Sequence, residues 1–490
     1  MNATRPISAS LKKLRRHILL YIAAIVSVFL YLIWPSISNG ATDYADISDH
    51  FKYGSIGSEP ANGIPYWIWK ALPELFADKL PGKGYASLGF IQEEGQDRPV
   101  GFSSRRVIID RVSLNCGVCH TGSVRDSPDA APRIIPGMPA NTMDLEGYTR
   151  FLLDCANDER FTVDRIMEAI EKVGGHLSFI DRYIYRHLAI PQTKQVLLER
   201  AAKLAFLKRQ PDWGPGRVDT FNPYKALQFN FPMDKLPDEE IVGTVDLPSI
   251  WQQREREGMQ LHWDGNNTSV EERNKSAALG AGVTPVTIDL PRLKRIEDWL
   301  LDFAPPPYPY PIDHTLASQG KPVYRQYCAE CHGENGRHFT GKYVGQVTKV
   351  DDVGTDRHRL DSFTYELLEN QNTLYAGYPW RFSKFRKTNG YANMPLDGIW
   401  LRAPYLHNGS VPTLRDLLKP AEGRPKVFYR GDDLYDRENV GFVATVPEMA
   451  GRHFFRFDTS LPGNSNAGHQ YGLSLGAADK NALIEYLKTF

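Results

Sequence analysis

The spacing of apolar residues predicts helices along most of the chain and few strands. Alternation of apolar and polar residues, the pattern of a half-buried strand, is scarce, whereas apolar residues recur every three or four positions in many segments. Loops rich in Gly and Pro separate these segments. Before residue 305 the helical pattern covers 65–79, 145–157, 162–173, 179–207 and 290–303. We therefore predict a mainly α fold with long irregular loops.

Two further helical patterns lie near the end of the chain. Residues 477–490 carry large apolar side chains at helical spacing, namely Leu483, Tyr486, Leu487 and Phe490. A shorter helix is predicted to run from Gly320 into Cys328, with Gly320 and Tyr324 on one face. Upstream of it, five prolines in the nine residues 303–311 favour an extended stretch and forbid a helix. We predict a linker at 303–314.

Residues 1–40 differ in composition from the rest of the chain. Basic residues precede an uncharged, largely apolar run at 18–34, and the first acidic residue is Asp43. This arrangement is typical of an export signal whose positive end stays in the cytoplasm. The run is just long enough to cross a bilayer as a helix. We predict either an anchor in the inner membrane or a cleaved signal peptide, and in both cases a periplasmic body.

Composition excludes one class of partner. The chain is 42% apolar and 24% charged, as expected of globular domains, and 58 basic residues balance 58 acidic ones. Because no excess of positive charge is present, nucleic acid has no support as a partner.

Candidate chemistry enters with a pentapeptide that occurs twice. Cys-Gly-Val-Cys-His at 116–120 recurs as Cys-Ala-Glu-Cys-His at 328–332, and the two copies use four of the five cysteines. In c-type haem attachment, a Cys-x-x-Cys pair forms thioethers with the haem and the next His binds the iron. A zinc ribbon would need two more ligands near each pair. We predict two covalent haems, at a haem 1 site (Cys116, Cys119 and His120) and a haem 2 site (Cys328, Cys331 and His332).

The two motifs suggest two cytochrome c-like domains, at 45–302 and 315–490, each with one haem. Small cytochrome c domains cross their first and last helices, so Gly320 is expected to admit an aromatic side chain from 477–490. The fifth cysteine, Cys155, has no partner left for a disulfide, and its apolar spacing predicts a buried side chain.

Axial ligands decide whether a haem only carries electrons or also binds small molecules. For haem 2 the first candidate is His469, because its glycine-rich loop can approach a haem face closely. Met394, which precedes a proline as in simple cytochromes, and His407 are the alternatives. For haem 1, His176 and His187 have charged neighbours typical of a solvated helix face. We predict that haem 1 keeps an open position.

Two segments resemble the bacterial di-haem cytochrome c peroxidases. Leu261-His-Trp-Asp-Gly-Asn-Asn267 resembles their Trp-Asp-Gly segment, and Ala403-Pro-Tyr-Leu-His-Asn-Gly-Ser410 resembles their Ala-Pro-Tyr loop beside the second haem. The Asn-Gly-Ser ending, the long N-terminal half and the late His469 look more like the di-haem rubber oxygenases of the same superfamily. Taken together with the two haem motifs and His469, the resemblance spans most of the chain after about residue 85.

The resemblance implies roles for single residues. Trp263 would lie between the two haems and relay electrons, and its neighbour His262 is a second candidate catalytic residue. The peroxidases carry a proton-accepting glutamate after this tryptophan, but residues 277–283 contain no acid, which argues against peroxide cleavage of that kind. They also take a methionine ligand after the Ala-Pro-Tyr loop. Residues 417–422 lack one, which favours His469 as the ligand of haem 2.

We therefore expect an oxidoreductase, oxygenase-like rather than a true peroxidase. Haem 1 would activate O2 or peroxide, and haem 2 would pass electrons from a redox partner protein or a small-molecule donor. The alternatives are a non-catalytic electron-transfer cytochrome tethered to the membrane and a haem-based ligand-binding sensor. The resemblance also implies a calcium ion between the domains. Polyisoprene as a substrate follows only by analogy. Arg273 and Asn274 could line a haem propionate or a distal pocket, but we expect them on an exposed helix surface.

Overall fold

The computed structural model describes residues 14–24, 27 and 39–490. Helices hold 41% of the residues and strands 13%, so the fold is mixed, with helices and small sheets. The α-helices before residue 305 are Ile47–Tyr53, Glu59–Asn62, Tyr66–Leu75, Leu145–Asn157, Val163–Lys172, Phe179–Ile184, Ile190–Lys203, Asn222–Leu227, Asp238–Ile241, Val270–Gly280 and Leu290–Asp302. Those after it are His314–Tyr327, Ala329–His332, Val350–Val353, His358–Ser362, Tyr365–Leu374, Leu414–Leu417 and Ala477–Leu487.

The helices with strong periodicity and capping residues lie where the sequence predicts them. Leu145–Asn157 begins after Asp144, whose side chain accepts a hydrogen bond from the Gly147 amide. Leu290–Asp302 begins in the same way after an aspartate. The long pattern at 179–207 is instead divided, because Phe179–Ile184 and Ile190–Lys203 are joined by a π-helical turn.

The strands were not predicted by the apolar pattern. A four-stranded antiparallel sheet is built around the hairpin of Phe102–Val107 and Ile109–Leu114, with Asn39–Ala41 and Ile64–Pro65 at its edges. The hairpin turns at Ile108, which has a φ of 67° and offers no Asn-Gly signal. The other sheets have two strands each: Thr121–Val124 with Arg133–Pro136, Arg217–Asp219 with Thr244–Asp246, Val347–Lys349 with Gly390–Ala392, Val427–Arg430 with Phe455–Asp458, Tyr435–Asp436 with Gly441–Phe442, and Glu448–Met449 with Arg452–His453.

Three large apolar clusters form the core. The first cluster lies within residues 64–247. The second combines residues of 51–300 with side chains between Phe363 and Phe385. The third combines Val124, Met138 and Trp251 with residues of 308–490. Apolar packing therefore crosses the predicted linker. That stretch, 303–311, is free of helix and strand as predicted. The division into two domains stays a prediction.

The first and last helices of the C-terminal part cross at Gly320. A Cβ placed on Gly320 would lie 2.0 Å from the backbone oxygen of Ala482, so only glycine allows this approach. The glycine admits the backbone of the other helix, which corrects the expectation of an aromatic side chain there. The aromatic contact lies one turn later, where the Tyr324 ring packs 4.9 Å from that of Phe490.

The N-terminal segment is described only in part. Residues 14–24 are helical, whereas residues 25, 26 and 28–34 of the predicted 18–34 helix lie outside the described residues. Within the described part of the chain, no helix combines the length and the apolar character needed to cross a membrane. The cysteine Cys155 is buried and unpaired, as predicted.

Candidate functional site

The haem 2 site begins where helix His314–Tyr327 ends and the one-turn helix Ala329–His332 follows. The Nδ1 of His332 donates a hydrogen bond of 2.7 Å to the backbone oxygen of Met394. A carbonyl bound at Nδ1 fixes the ring and the tautomer, and leaves Nε2 as the metal-binding nitrogen. Burial lowers the pKa of His332, which favours the neutral imidazole that a metal needs.

His469 lies opposite His332. The centroids of the two imidazole rings are 6.2 Å apart, with an angle of 42° between the ring planes. A metal–imidazole bond is about 2 Å long, so a metal between two such rings places their centroids roughly 6 Å apart. The Nδ1 of His469 is buried without a hydrogen-bond partner. Such a nitrogen is costly to bury without a partner, and the described residues supply none. Independently of it, the spacing of the two rings fits one iron that His332 and His469 would hold between them.

The loop that carries His469 is held against helix Val350–Val353. The residue has a φ of 50°, in the left-handed region, and its amide donates a 2.9 Å hydrogen bond to the Val353 oxygen. A Cβ on Gly468 would lie 2.5 Å from the Thr355 amide nitrogen, so this glycine allows the close approach. Gly468 therefore lets the loop lie close to the backbone at 353–355, and its approach to a haem face stays a prediction.

The Asn-Gly-Ser ending of the Ala-Pro-Tyr segment fastens this loop. The buried Asn408 amide donates to the backbone oxygens of Gly463 and Ser465, at 3.1 and 2.9 Å. The Ser410 hydroxyl donates to the same Ser465 oxygen at 2.9 Å. Two features that looked independent in the sequence, the Asn-Gly-Ser ending and the late histidine, are thus physically linked.

A buried arginine completes the support of the loop. The Arg424 guanidinium donates to the backbone oxygens of Asn466 and of Gly468, the latter at 2.9 Å, and reaches that of His469 at 3.5 Å. No carboxylate pairs with Arg424 among the described residues. The charged guanidinium therefore binds the backbone oxygens of the loop. Charge-assisted hydrogen bonds of this kind are stronger than neutral ones.

Of the two alternative candidates for haem 2, His407 is hydrogen-bonded elsewhere, and Met394 contacts His332 through its backbone. The backbone of Met394 lies behind His332, where its oxygen binds Nδ1. The Nε2 of His407 shares a hydrogen bond of 3.0 Å with the Tyr391 hydroxyl, and the two rings stack at 4.0 Å. His469 is the candidate whose ring faces His332.

The haem 1 site has the same support behind its histidine. The Nδ1 of His120 donates a 2.9 Å hydrogen bond to the Pro248 oxygen, which again leaves Nε2 free. Cys116 and Cys119 are half-buried and unpaired. The pKa of His120 is lowered to about 4, chiefly by burial, and the positive charge of Arg273 acts in the same direction.

No imidazole faces His120 within the described residues, in contrast to His332. His176 and His187 are exposed, as predicted. Four of the methionines before residue 305 lie in the apolar clusters: Met138, Met143, Met167 and Met233. The two sites therefore differ in the described residues, and the open position at haem 1 stays a prediction.

Helix Val270–Gly280 brings further polar groups toward the haem 1 site. Arg273 is half-buried and Asn274 is buried, so the expectation of an exposed surface was wrong for both. Arg273 acts electrostatically on His120 and on His262 alike. Glu297, a buried carboxyl on the adjacent helix, was not predicted from the sequence. Its signal was a charged residue at an apolar position of an amphipathic helix.

Trp263 lies half-buried against a small cluster of Val350, Leu360 and Tyr391. Its indole Nε1 donates a 2.8 Å hydrogen bond to the Asp246 oxygen, and its own oxygen accepts one of 2.8 Å from the Ala392 amide. His262 has a φ of 63°, and its Nδ1 bonds the Asn266 side chain at 2.6 Å. Burial lowers the pKa of His262 to about 4.

These bonds connect the two sites symmetrically. Trp263 binds the oxygen of Asp246 on one side, two residues from Pro248, whose oxygen holds His120. On the other side it binds Ala392, two residues from Met394, whose oxygen holds His332. One hydrogen bond and two residues of backbone therefore join Trp263 to Pro248, which holds His120. The same number of steps joins it to Met394, which holds His332.

Buried ion pairs lock the motif segments together. Asp264 of the Trp-Asp-Gly segment pairs with Arg359 at 2.9 Å, both almost fully buried. Asp246 pairs with Arg430, which donates to the Gly409 oxygen at 2.7 Å. Such pairs contribute little net stability but fix one arrangement. Among the described residues, no group of three or more His, Cys, Asp or Glu side chains could hold a metal ion.

A protein-family model described as RoxA-like, cytochrome c-like matches residues 390–429. A cytochrome c-like segment implies a covalently bound haem. The matched segment contains the residues that organise the haem 2 site from both sides: Met394, Asn408, Ser410 and Arg424.

Two proteins of Sinorhizobium fredii (strain NBRC 101917 / NGR234) are similar to this chain, and both are named as uncharacterized. Protein y4iJ is 27% identical over 517 residues, which cover 82% of this chain and 83% of that protein. Protein y4iM is 31% identical over 289 residues, which cover 50% of this chain. The match spans 64% of the length of y4iM.

Proposed function

We propose that the chain is a di-haem c-type cytochrome and an oxidoreductase of the RoxA-like kind. In this proposal the haem 1 site takes O2 or peroxide, and the haem 2 site transfers electrons. The observation that carries the proposal is the difference between the two motif histidines: His332 faces a second imidazole, and His120 faces none among the described residues. When bound, a c-type haem supplies one-electron chemistry and, at an open axial position, a place for a small ligand.

The residues of the haem 2 site serve electron transfer. His332 and His469 would occupy both axial positions, so no small molecule could enter there. Both imidazoles are held by backbone contacts, through Met394 for one and Val353 for the other. A rigid ligand set changes little between redox states, which suits a site that only passes electrons.

The residues of the haem 1 site serve binding. His120 is oriented from behind by Pro248, and Arg273 supplies a positive charge that acts on His120. A positive charge of this kind would stabilise negative charge that develops on a bound oxygen species.

The activity is oxygenase-like rather than that of a true peroxidase. The helix Val270–Gly280 and the loop after it place only apolar and small residues at 277–283, and Ala278, Leu279 and Val283 are buried in a core cluster. The proton acceptor of the peroxidases is therefore absent from its usual place in the chain. The RoxA-like match supports the same choice. We also propose a periplasmic location, where c-type haem attachment takes place.

Trp263 provides the route between the sites in this proposal. We expect Trp263→Phe to slow electron transfer between them on the order of tenfold, because the variant loses the indole hydrogen bond that joins this side chain to the backbone oxygen of Asp246. The phenyl ring still fills the cluster around Trp263. Stopped-flow reduction, followed separately in the bands of the two haems, measures the rate.

Trp400→Phe is the matched control. Like Trp263, Trp400 donates its indole hydrogen to a backbone oxygen, in this case that of Pro306 at 3.2 Å. Trp400 is fully buried in the C-terminal core. Its variant should transfer electrons at the rate of the unmodified protein. Equal rates in the Trp263 variant and the unmodified protein would show that the route does not pass through this indole.

A further inference from the structure

Glu297 occupies a core position of helix Leu290–Asp302. It lies four residues after Leu293 and three before Leu300, and all three side chains are on the buried face. Only 9% of Glu297 is exposed. A glutamate at such a position is rare unless a partner neutralises it.

No partner neutralises Glu297 in the described part of the chain. Its Oε1 is buried without a hydrogen bond, and it takes part in no ion pair. Lys275, whose charge acts on Glu297, is paired with the exposed Glu271 of its own helix. The neighbouring Asn274 amide donates to Gln253 at 2.9 Å. A bare buried carboxyl is costly for stability, which is unusual for a group without a function.

The position of Glu297 connects it to the haem 1 site. Cys116 packs against the same apolar cluster as Leu293, Ile296 and Leu300, which flank Glu297 on its helix. The charge of Glu297 contributes to the raised pKa of the Cys116 thiol, after burial itself. Glu297 also acts on Arg273, the residue whose charge reaches His120.

The groups around Glu297 bring the pKa of its carboxyl close to physiological pH. The pKa of Glu297 is raised to about 7, chiefly by burial and also by the charge of Glu271. Lys275, the nearby Asn274 amide and Lys294 lower it. Glu297 is therefore poised to gain or lose a proton near physiological pH.

We propose that Glu297 is the proton-exchanging group of the haem 1 site. When one electron arrives there from a one-electron donor by way of the haem 2 site, the added negative charge is balanced by one proton that moves from water to a carboxylate oxygen of Glu297. Reoxidation returns the proton. The carboxyl thus supplies, from helix Leu290–Asp302, the proton-handling group that the segment 277–283 lacks. This inference rests on the proposed function, because it requires a haem at Cys116–His120.

The test is a redox titration of the purified full-length protein at several pH values, with dithionite and ferricyanide as reductant and oxidant. We expect the equilibrium constant for reduction at the haem 1 site to fall by about threefold or more per pH unit between roughly pH 6 and 8, because reduction takes up a proton. Glu297→Gln removes the exchangeable proton and should largely abolish this dependence. The haem 2 bands of the same samples serve as an internal reference.

Two further variants make the outcome decisive. Glu271→Gln changes an exposed carboxylate near Glu297 and should keep the pH dependence. Lys275→Met removes a charge that lowers the pKa of Glu297, so the sensitive range should move to higher pH. This variant tests the inference even if the glutamine variant does not fold. An unchanged slope in Glu297→Gln, or an unshifted range in Lys275→Met, would overturn the inference. A protein with no haem at Cys116–His120 would instead overturn the proposed function.

Discussion

A chain in which Cys116 and Cys119 are both replaced by serine is expected to carry one covalent haem instead of two. Serine cannot form the thioether bonds, and the remaining pair at 328–331 lies on a different helix with its own histidine. The intact mass of the denatured protein, together with haem quantification after pyridine treatment, measures the number of haems per chain.

Cys155→Ser is the matched control for this prediction. Cys155 is a fully buried thiol in the apolar cluster of the N-terminal half, outside both motifs. Its replacement should cost stability, because a polar hydroxyl is buried, but the protein should keep two haems. A double serine variant at 116 and 119 that still carries two haems would contradict the assignment of the first motif.

Replacing His469 with alanine is expected to convert haem 2 from a six-coordinate, low-spin species to one with an open position. His469 is the imidazole that faces His332 at 6.2 Å between ring centroids. Its loss leaves His332 as the one axial ligand. The low-spin signal in electron paramagnetic resonance should disappear, and the altered haem should bind cyanide. His453→Ala, on a largely exposed histidine in the same half, should leave the spectrum unchanged.

A second variant tests the role of His469 by weakening the loop that carries it. Arg424→Gln removes the charge that holds the oxygens of Asn466, Gly468 and His469. Each charge-assisted hydrogen bond contributes about 1.5–3 kcal/mol, so the loop should detach in a fraction of the molecules. A mixture of low-spin and open haem 2 is expected. If both His469→Ala and Arg424→Gln keep the full low-spin signal, another residue ligates haem 2.

The strongly periodic helices and the motif histidines were predictable from the sequence alone. Helix Leu145–Asn157 has the predicted bounds because its apolar face and its capping aspartate agree. The spacing within each Cys-x-x-Cys-His unit fixes its local chemistry. The small sheets were missed because the hairpin at Ile108 turns without a glycine or an asparagine.

The contacts across the chain were not predictable, because they depend on three-dimensional packing. Nothing in the sequence shows that Asn408 and Ser410 hold the loop of His469, since the two segments are 55 or more residues apart. Glu297 was missed for the same reason. Glu297 and Cys116 are far apart along the chain, so the sequence does not show that both lie against one apolar cluster.

The most direct test of the account is a cyanide titration of the unmodified, oxidised protein, followed by optical and electron paramagnetic resonance spectra. The account predicts two haems per chain, one low-spin and unchanged by cyanide, and one high-spin that binds cyanide with a stoichiometry of one. Two low-spin haems that both ignore cyanide would contradict the open haem 1 site and favour a pure electron-transfer protein.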